Sequence, residues 1–139
     1  MKSPTQLTEL FREQGLNVTS QRQRVFRALA ESVGHPTAEE VWSDVRVDLP
    51  TVSLRTVYQT LNDLVAMGEI SQLQLGSGSS RFDPNGEGHH HLICDQCGEI
   101  TDIDASQIVT PQPTGDLNGF EVNKTELTFH GVCGSCRAA

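Results

Sequence analysis

Cys94-Asp-Gln-Cys97 and Cys133-Gly-Ser-Cys136 account for every cysteine in the chain. Two intervening residues let both sulfurs of a pair point at one centre from a tight turn. Four thiolates then make the tetrahedral, soft-ligand cage that zinc favours. A redox dithiol or four unrelated buried cysteines would explain one pair. Two pairs that exhaust the cysteines point to zinc. The 35 residues between the pairs are long for a compact zinc ribbon, but strands can close the gap. Such a cage has no open coordination position, so its role is structural.

A second group lies just before the first pair: His89, His90 and His91. In a strand, alternation puts His89 and His91 on one face and His90 on the other. Two imidazoles on one face can share a metal. A solvated histidine run is the plain alternative; a tag remnant does not suit an internal run beside Cys94. Asp83, Asp102 and Asp104 are nearby carboxylates, and His35 is a distant nitrogen donor. Imidazole with carboxylate oxygen suits Fe(II), Mn(II) or Zn(II). Spacing points to a second metal site without choosing its ligands.

These residues need elements to hold them. The chain has 139 residues, 36% of them hydrophobic, enough for one ordinary domain or two small ones. Met1 is followed by no apolar leader, and no run of eighteen apolar residues occurs, so the expected location is cytoplasmic, where thiols stay reduced. The net charge of −8 argues against nucleic acid, but its distribution does not. Residues 1–82 carry eight Lys/Arg against nine Asp/Glu. Residues 83–139 carry two against nine. The acidic half suits a cation, and the first half can still present a basic face.

Leu7, Leu10 and Phe11 set a first helix over Thr5 to Gln14, with Gly15 as its stop. Thr19 or Ser20 caps a second helix, Ser20 through a box with Gln23; Val25, Phe26, Leu29 and Val33 form its stripe. Thr37-x-x-Glu40 is another capping box, opening a helix through Val41, Trp42 and Val45. Ser53 caps a fourth helix to about Met67, with Leu54, Val57, Leu61, Leu64 and Val65 as its stripe and Gly68 as its end. Glu69 to Leu75 reads as a strand, Gly76 to Ser80 as a turn, and Arg81-Phe82 as the returning strand. That order fits a helix-turn-helix with a β-wing. The fourth helix then offers Arg55, Thr56, Gln59 and Asn62 to base edges or phosphates, with Tyr58 beside them. A solvated helix face fits the same residues. Beyond residue 83, His91 to Cys94 and Glu99 to Asp104 read as short strands, Glu121 to Val132 as one long strand, and Ile108 to Gly119 as a loop.

At these positions the sequence resembles the ferric uptake regulator family. The residues that carry the resemblance are His35-Pro-Thr-Ala-Glu-Glu, Thr56-Val-Tyr58-Gln-Thr-Leu61 and Ser80-Arg-Phe-Asp83, then His89-x-His91-Leu-Ile-Cys94-x-x-Cys97-Gly and Gly131-Val-Cys133-x-x-Cys136. They run in order from about Leu7 to Cys136. The resemblance implies an α+β chain. A winged helix-turn-helix DNA-binding domain would span 1–82, and a small α/β metal-binding dimerisation domain with a four-cysteine zinc site would span 83–139. It implies a homodimeric, metal-dependent transcriptional repressor of double-stranded operator DNA, with no enzymatic activity and no membrane partner. Cys94, Cys97, Cys133 and Cys136 match the family's structural zinc site. His35, Asp83, His89, His91 and Asp102 match its regulatory metal site, which takes Fe(II) or Mn(II); Asp104 remains an alternative to Asp102. Arg55, Tyr58 and Gln59 match DNA contacts, with Arg22 a phosphate candidate.

Three histidines and two aspartates resemble the family's peroxide-sensing branch, in which a ligand histidine is oxidised. Here the candidates are His35 and His89, and the expected targets are peroxide-defence genes. Iron-responsive control of uptake genes is the alternative. Two departures stand out. No histidine occurs in Asn123-Lys124-Thr125, so no third metal site is expected. Prolines at 111 and 113 argue against the helix that many members have there. His130 reads as a strand residue.

Overall fold

A computed structural model describes residues 1–74, 79–84, 89–122 and 125–139, the His89 side chain excepted. Leu75, the first three residues of the turn expected over Gly76 to Ser80, and the pair Asn123–Lys124 lie outside the described residues. The chain forms two compact units, Met1–Gly86 and Glu87–Ala139.

The first unit begins with four helices: α1 (Pro4–Glu13), α2 (Ser20–Glu31), α3 (Ala38–Asp48) and α4 (Leu54–Ala66). Their starts are written in side-chain oxygens. Ser3 and Gln6 form a capping box on α1, and Thr37 and Glu40 form one on α3. Thr19 caps α2 and Ser53 caps α4. Each oxygen accepts an N–H that the first turn leaves without a helical partner. The expected Ser20–Gln23 box does not form, because Thr19 holds the cap and Ser20 is already helical. Gly68 follows α4 with φ +74°, a conformation that a side chain would resist.

The core of this unit is made by the apolar stripes of the helices. Leu7 and Phe11, Val25, Phe26 and Leu29, Val41 and Val45, and Val57, Leu61 and Leu64 are all buried. Val33 is not part of it: α2 ends at Glu31 and Val33 is fully exposed. Two short strands complete the unit, β1 (Ser71–Leu73) and β2 (Arg81–Asp83), antiparallel in the register Ser71↔Asp83. The expected strand over 69–75 is shorter, since β2 offers it only three partners. On its other side β2 runs along residues 35–37. Phe82 N–H donates to the Pro36 carbonyl at 2.8 Å, and Arg81 donates to the His35 carbonyl at 2.9 Å. The β-wing therefore ties down the entry to α3.

The second unit has a three-stranded sheet in the order β4-β3-β5. β3 is His89–Cys94, β4 is Ile100–Asp104, and β5 is Thr128–Gly131. β3 pairs antiparallel with β4 and parallel with β5. A 3-10 turn (Ala105–Gln107) follows β4, and a five-residue helix, α5 (Gly134–Ala138), ends the chain. The described residues of 108–119 contain no helix, as the prolines require. The long strand expected over 121–132 is a correction: among its described residues only 128–131 form a strand, paired with His91 to Cys94 of β3. Among the described residues of this unit the buried side chains are His90, Ile93 and Cys94.

Candidate functional site

Cys94 ends β3, and the chain turns back at once: Gly98 N–H donates to the Cys94 carbonyl and Cys94 N–H to the Glu99 carbonyl, both at 2.9 Å. Gly98 has φ +76°, which this turn demands. Parallel pairing of β3 with β5 places Cys94 opposite Gly131, so Cys133 arrives two residues later beside it. Cys133 stands at the start of α5, whose first turn carries Cys136.

One Sγ from each of the four cysteines lies within 4.8 Å of the others. Cys97 and Cys133 sulfurs are 3.8 Å apart, too far for a disulfide. A tetrahedron with Zn–S bonds of about 2.3 Å has sulfur–sulfur edges of roughly 3.8 Å, so the cluster fits a zinc ion. The electrostatics agree. Backbone N–H groups of Cys133, Cys97 and Gln96 lower the Cys94 thiol to about 6. Its neighbours Cys133, Cys97 and Cys94 push Cys136 up to about 12. Four thiolates cannot coexist there unless a cation offsets their repulsion.

The histidines separate by role. His90 is buried, and its Nδ1 accepts the Leu127 N–H at 3.0 Å. It is a structural link between β3 and the approach to β5. His91 lies on the opposite face of β3, directly across from Asp102 of β4, with Nε2 and Oδ1 3.5 Å apart. Asp104 is occupied otherwise, capping the 3-10 turn by accepting the Ser106 N–H at 2.8 Å. His89 faces Asp104 in the backbone register, and the expectation for its imidazole lies outside the described side chains. His130 is exposed in β5, with Nδ1 3.2 Å from Asp95 Oδ1.

In the first unit His35 and Asp83 are both buried, with Nε2 and Oδ2 3.4 Å apart. The Phe82–Pro36 backbone bond and the bond from the Arg81 guanidinium to the His35 carbonyl put them side by side. Each unit thus contains an imidazole–carboxylate couple.

Arg55 and Gln59 are exposed on α4. Tyr58, half-buried, donates its hydroxyl hydrogen to Glu39 Oε1 at 3.1 Å. Arg22 has internal partners: its guanidinium sits over the Phe11 ring, bonds the Asn17 carbonyl and pairs with Asp63. It reaches a phosphate only by giving these up. Arg24, two residues on, is buried and bridges Asp44 and Asp48 of α3. Glu39 carries no signal in the sequence that sets it apart from its helical neighbours.

The sequence profile of the ferric uptake regulator family matches residues 13–130. The chain belongs to that family. Among curated relatives it is 35% identical to the peroxide-responsive repressor PerR of Staphylococcus aureus over 127 residues, covering 91% of this chain and 86% of the relative. Among solved structures it resembles the ferric uptake regulator of Helicobacter pylori, with a TM-score of 0.76 at 23% identity over 96% of this chain and 90% of the other. It also resembles the ferric uptake regulator of Francisella tularensis with iron, with a TM-score of 0.70 at 26% identity over 88% and 96%. These likenesses confirm the α+β, winged-helix architecture. Among the described residues no helix is long and apolar enough to cross a membrane.

Proposed function

We propose that this chain is a homodimeric, metal-dependent transcriptional repressor that senses hydrogen peroxide and controls peroxide-defence genes. The observation that carries the reading is the pair of imidazole–carboxylate couples, His35–Asp83 and His91–Asp102. With His89 they would offer nitrogen and carboxylate oxygen donors, suited to Fe(II) or Mn(II) and distinct from the all-sulfur zinc cage. The reading requires both couples to serve one regulatory ion. The 35% identity to a peroxide-responsive repressor supports this branch.

When bound, ferrous iron would supply the redox chemistry by which hydrogen peroxide oxidises a neighbouring imidazole. In that chemistry one peroxide oxygen would end on a ring carbon and the other would leave as water. His35 and His89 are the proposed acceptors. His35 is buried against Asp83, so loss of its donor character would remove one nitrogen from the proposed donor set. The metal would then leave and the operator be released. Arg55, Tyr58 and Gln59 would contact that operator. Iron-responsive control of uptake genes is the second reading, favoured by the likeness to an iron-bound ferric uptake regulator.

Fe(II)-loaded and Mn(II)-loaded protein should be treated with hydrogen peroxide, then tested by mobility shift and peptide mass spectrometry. The expected result is one added oxygen on a His35 or His89 peptide, with loss of DNA binding, in the iron form alone. An unmodified iron form that keeps its DNA would sink peroxide sensing and favour iron sensing. If metal-loaded protein shows no more sequence-specific binding than metal-free protein, the repressor reading itself fails. A zinc hydrolase or a plain zinc-stapled interaction module would give that last outcome.

Substitution separates the two aspartates. Asp102→Asn is expected to weaken Mn(II) binding by more than the roughly 10- to 100-fold that loss of an outer-shell partner costs. Asp104→Asn should leave affinity within a few-fold, since an amide oxygen can still accept the Ser106 N–H. Equal losses would overturn the choice of Asp102.

A further inference from the structure

We propose that Glu39 is a positioning residue for operator recognition: its carboxylate holds the Tyr58 hydroxyl, so the phenol offers DNA its ring rather than its O–H. The inference rests on the DNA-binding reading above and adds a residue to it.

Glu39 sits in the first turn of α3, where the helix N-terminus favours a carboxylate. Its backbone is fixed by the capping box around it: Glu40 N–H donates to Thr37 Oγ1 at 3.1 Å, and Thr37 N–H donates to Glu40 Oε2 at 3.2 Å. Tyr58 lies on α4, next to exposed Arg55 and Gln59. The 3.1 Å bond between Tyr58 and Glu39 therefore spans two helices at the surface that would meet DNA. Desolvation of the phenol and its bond to Glu39 both raise Tyr58 above its ordinary value.

A tyrosine hydroxyl has one proton to give. Once it is given to Glu39, it cannot go to a phosphate oxygen, which is only an acceptor. What remains is the ring and the lone pairs of the hydroxyl oxygen. Those suit a thymine methyl, or the amino group of cytosine or adenine, in the major groove. The Glu39 charge also opposes any phosphate brought close to this point. Sequence-independent affinity comes mostly from phosphates, so the pair trades backbone attraction for base discrimination.

Two measurements test this. Tyr58 is the only tyrosine in the chain, so a phenolate absorbance titration reads it directly, without DNA. Glu39→Ala should lower the apparent pKa towards that of the unfolded chain; no change means that the contact is absent in solution, and the proposal fails. Binding is then measured with Mn(II)-loaded protein, using a duplex selected from a random pool by the wild type and a scrambled competitor.

Glu39→Ala and Tyr58→Phe are each expected to lower the ratio of specific to nonspecific affinity about ten-fold, within the range of one base contact. The double variant should be no worse than either alone, since both break one unit. Glu39→Gln keeps the acceptor and should retain most of the ratio. If Glu39→Gln and Glu39→Ala instead tighten binding to both duplexes equally, Glu39 acts only as a charge and the proposal is overturned. If the wild type selects no duplex, the DNA-binding reading fails and the positioning role falls with it. The titration would still report whether the two side chains meet.

Discussion

Replacing Cys94 by serine, or stripping the metal with a strong chelator, is expected to unfold residues 87–139 while leaving 1–86 folded. The reason is the uneven distribution of core. All fifteen residues of the hydrophobic core cluster lie at or before Phe82. In the second unit Phe120, Phe129, Val109, Val122 and Val132 are exposed, and among the described residues the buried ones are His90, Ile93 and Cys94 of β3. A unit this short cannot offset its chain entropy with so little buried surface. Four metal–sulfur bonds can do so, and small zinc domains of this kind are unfolded without their ion. Cys94 should be the most damaging of the four to lose. It is the buried one, and its sulfur also accepts the Cys133 N–H at 3.3 Å, joining the two knuckles.

The spectroscopic consequence is specific. The four long helices all belong to the first unit, and among its described residues the second has only the five-residue α5 and the short 3-10 turn. Far-ultraviolet circular dichroism should therefore keep nearly all its helical signal after chelation. Hydrogen exchange should lose protection at 89–94 and 128–131, and the dimer should dissociate. Retained protection in β3 and β5 after proven zinc loss would show that the cage is not what holds this unit. A folded dimer blind to metal would show that the cysteines sense rather than staple.

The parts of this molecule legible in the sequence are those set by neighbours in the chain. Thr37 with Glu40, Ser53, Gly15 and Gly68 each act within a few residues, and each ends or begins a helix where expected. Cys-x-x-Cys is local in the same sense, and so is the alternation that sends His90 inward and His91 to the other face. What escaped was set at a distance. Whether Arg24 is solvated or buried depends on Asp44 and Asp48, on another helix. Tyr58 and Glu39 are 19 residues apart, and no periodicity links them. The length of β5 depends on how much of β3 is left to pair with it in parallel, which residues 121–132 cannot signal by themselves. The His35–Asp83 couple falls between these cases. Its residue types were evident, but only the return of β2 along 35–37 explains why they touch.

That return depends on Phe82, and Phe82→Ala should produce the largest loss of stability of any single apolar substitution in β1 or β2. The ring is fully buried in the helical core. Deleting a buried phenylalanine costs about 3–5 kcal/mol, against a total of roughly 5–15 kcal/mol for a typical domain. Phe82→Leu fills most of the volume and should cost about 1 kcal/mol. Urea denaturation followed through Trp42, the sole tryptophan, reads this unit directly. A loss below about 1 kcal/mol for the alanine would mean that the β-wing is not anchored through this ring. The functional effect follows from position. Arg81 and Asp83 flank Phe82, and its own N–H holds Pro36. Loosening the ring frees both the His35 carbonyl clamp and the Asp83 carboxylate. Mn(II) affinity should therefore fall in Phe82→Ala even at temperatures where the protein remains folded, and should stay near wild type in Phe82→Leu. Unchanged affinity in folded Phe82→Ala would instead show that His35 and Asp83 are held by contacts other than the β2 return.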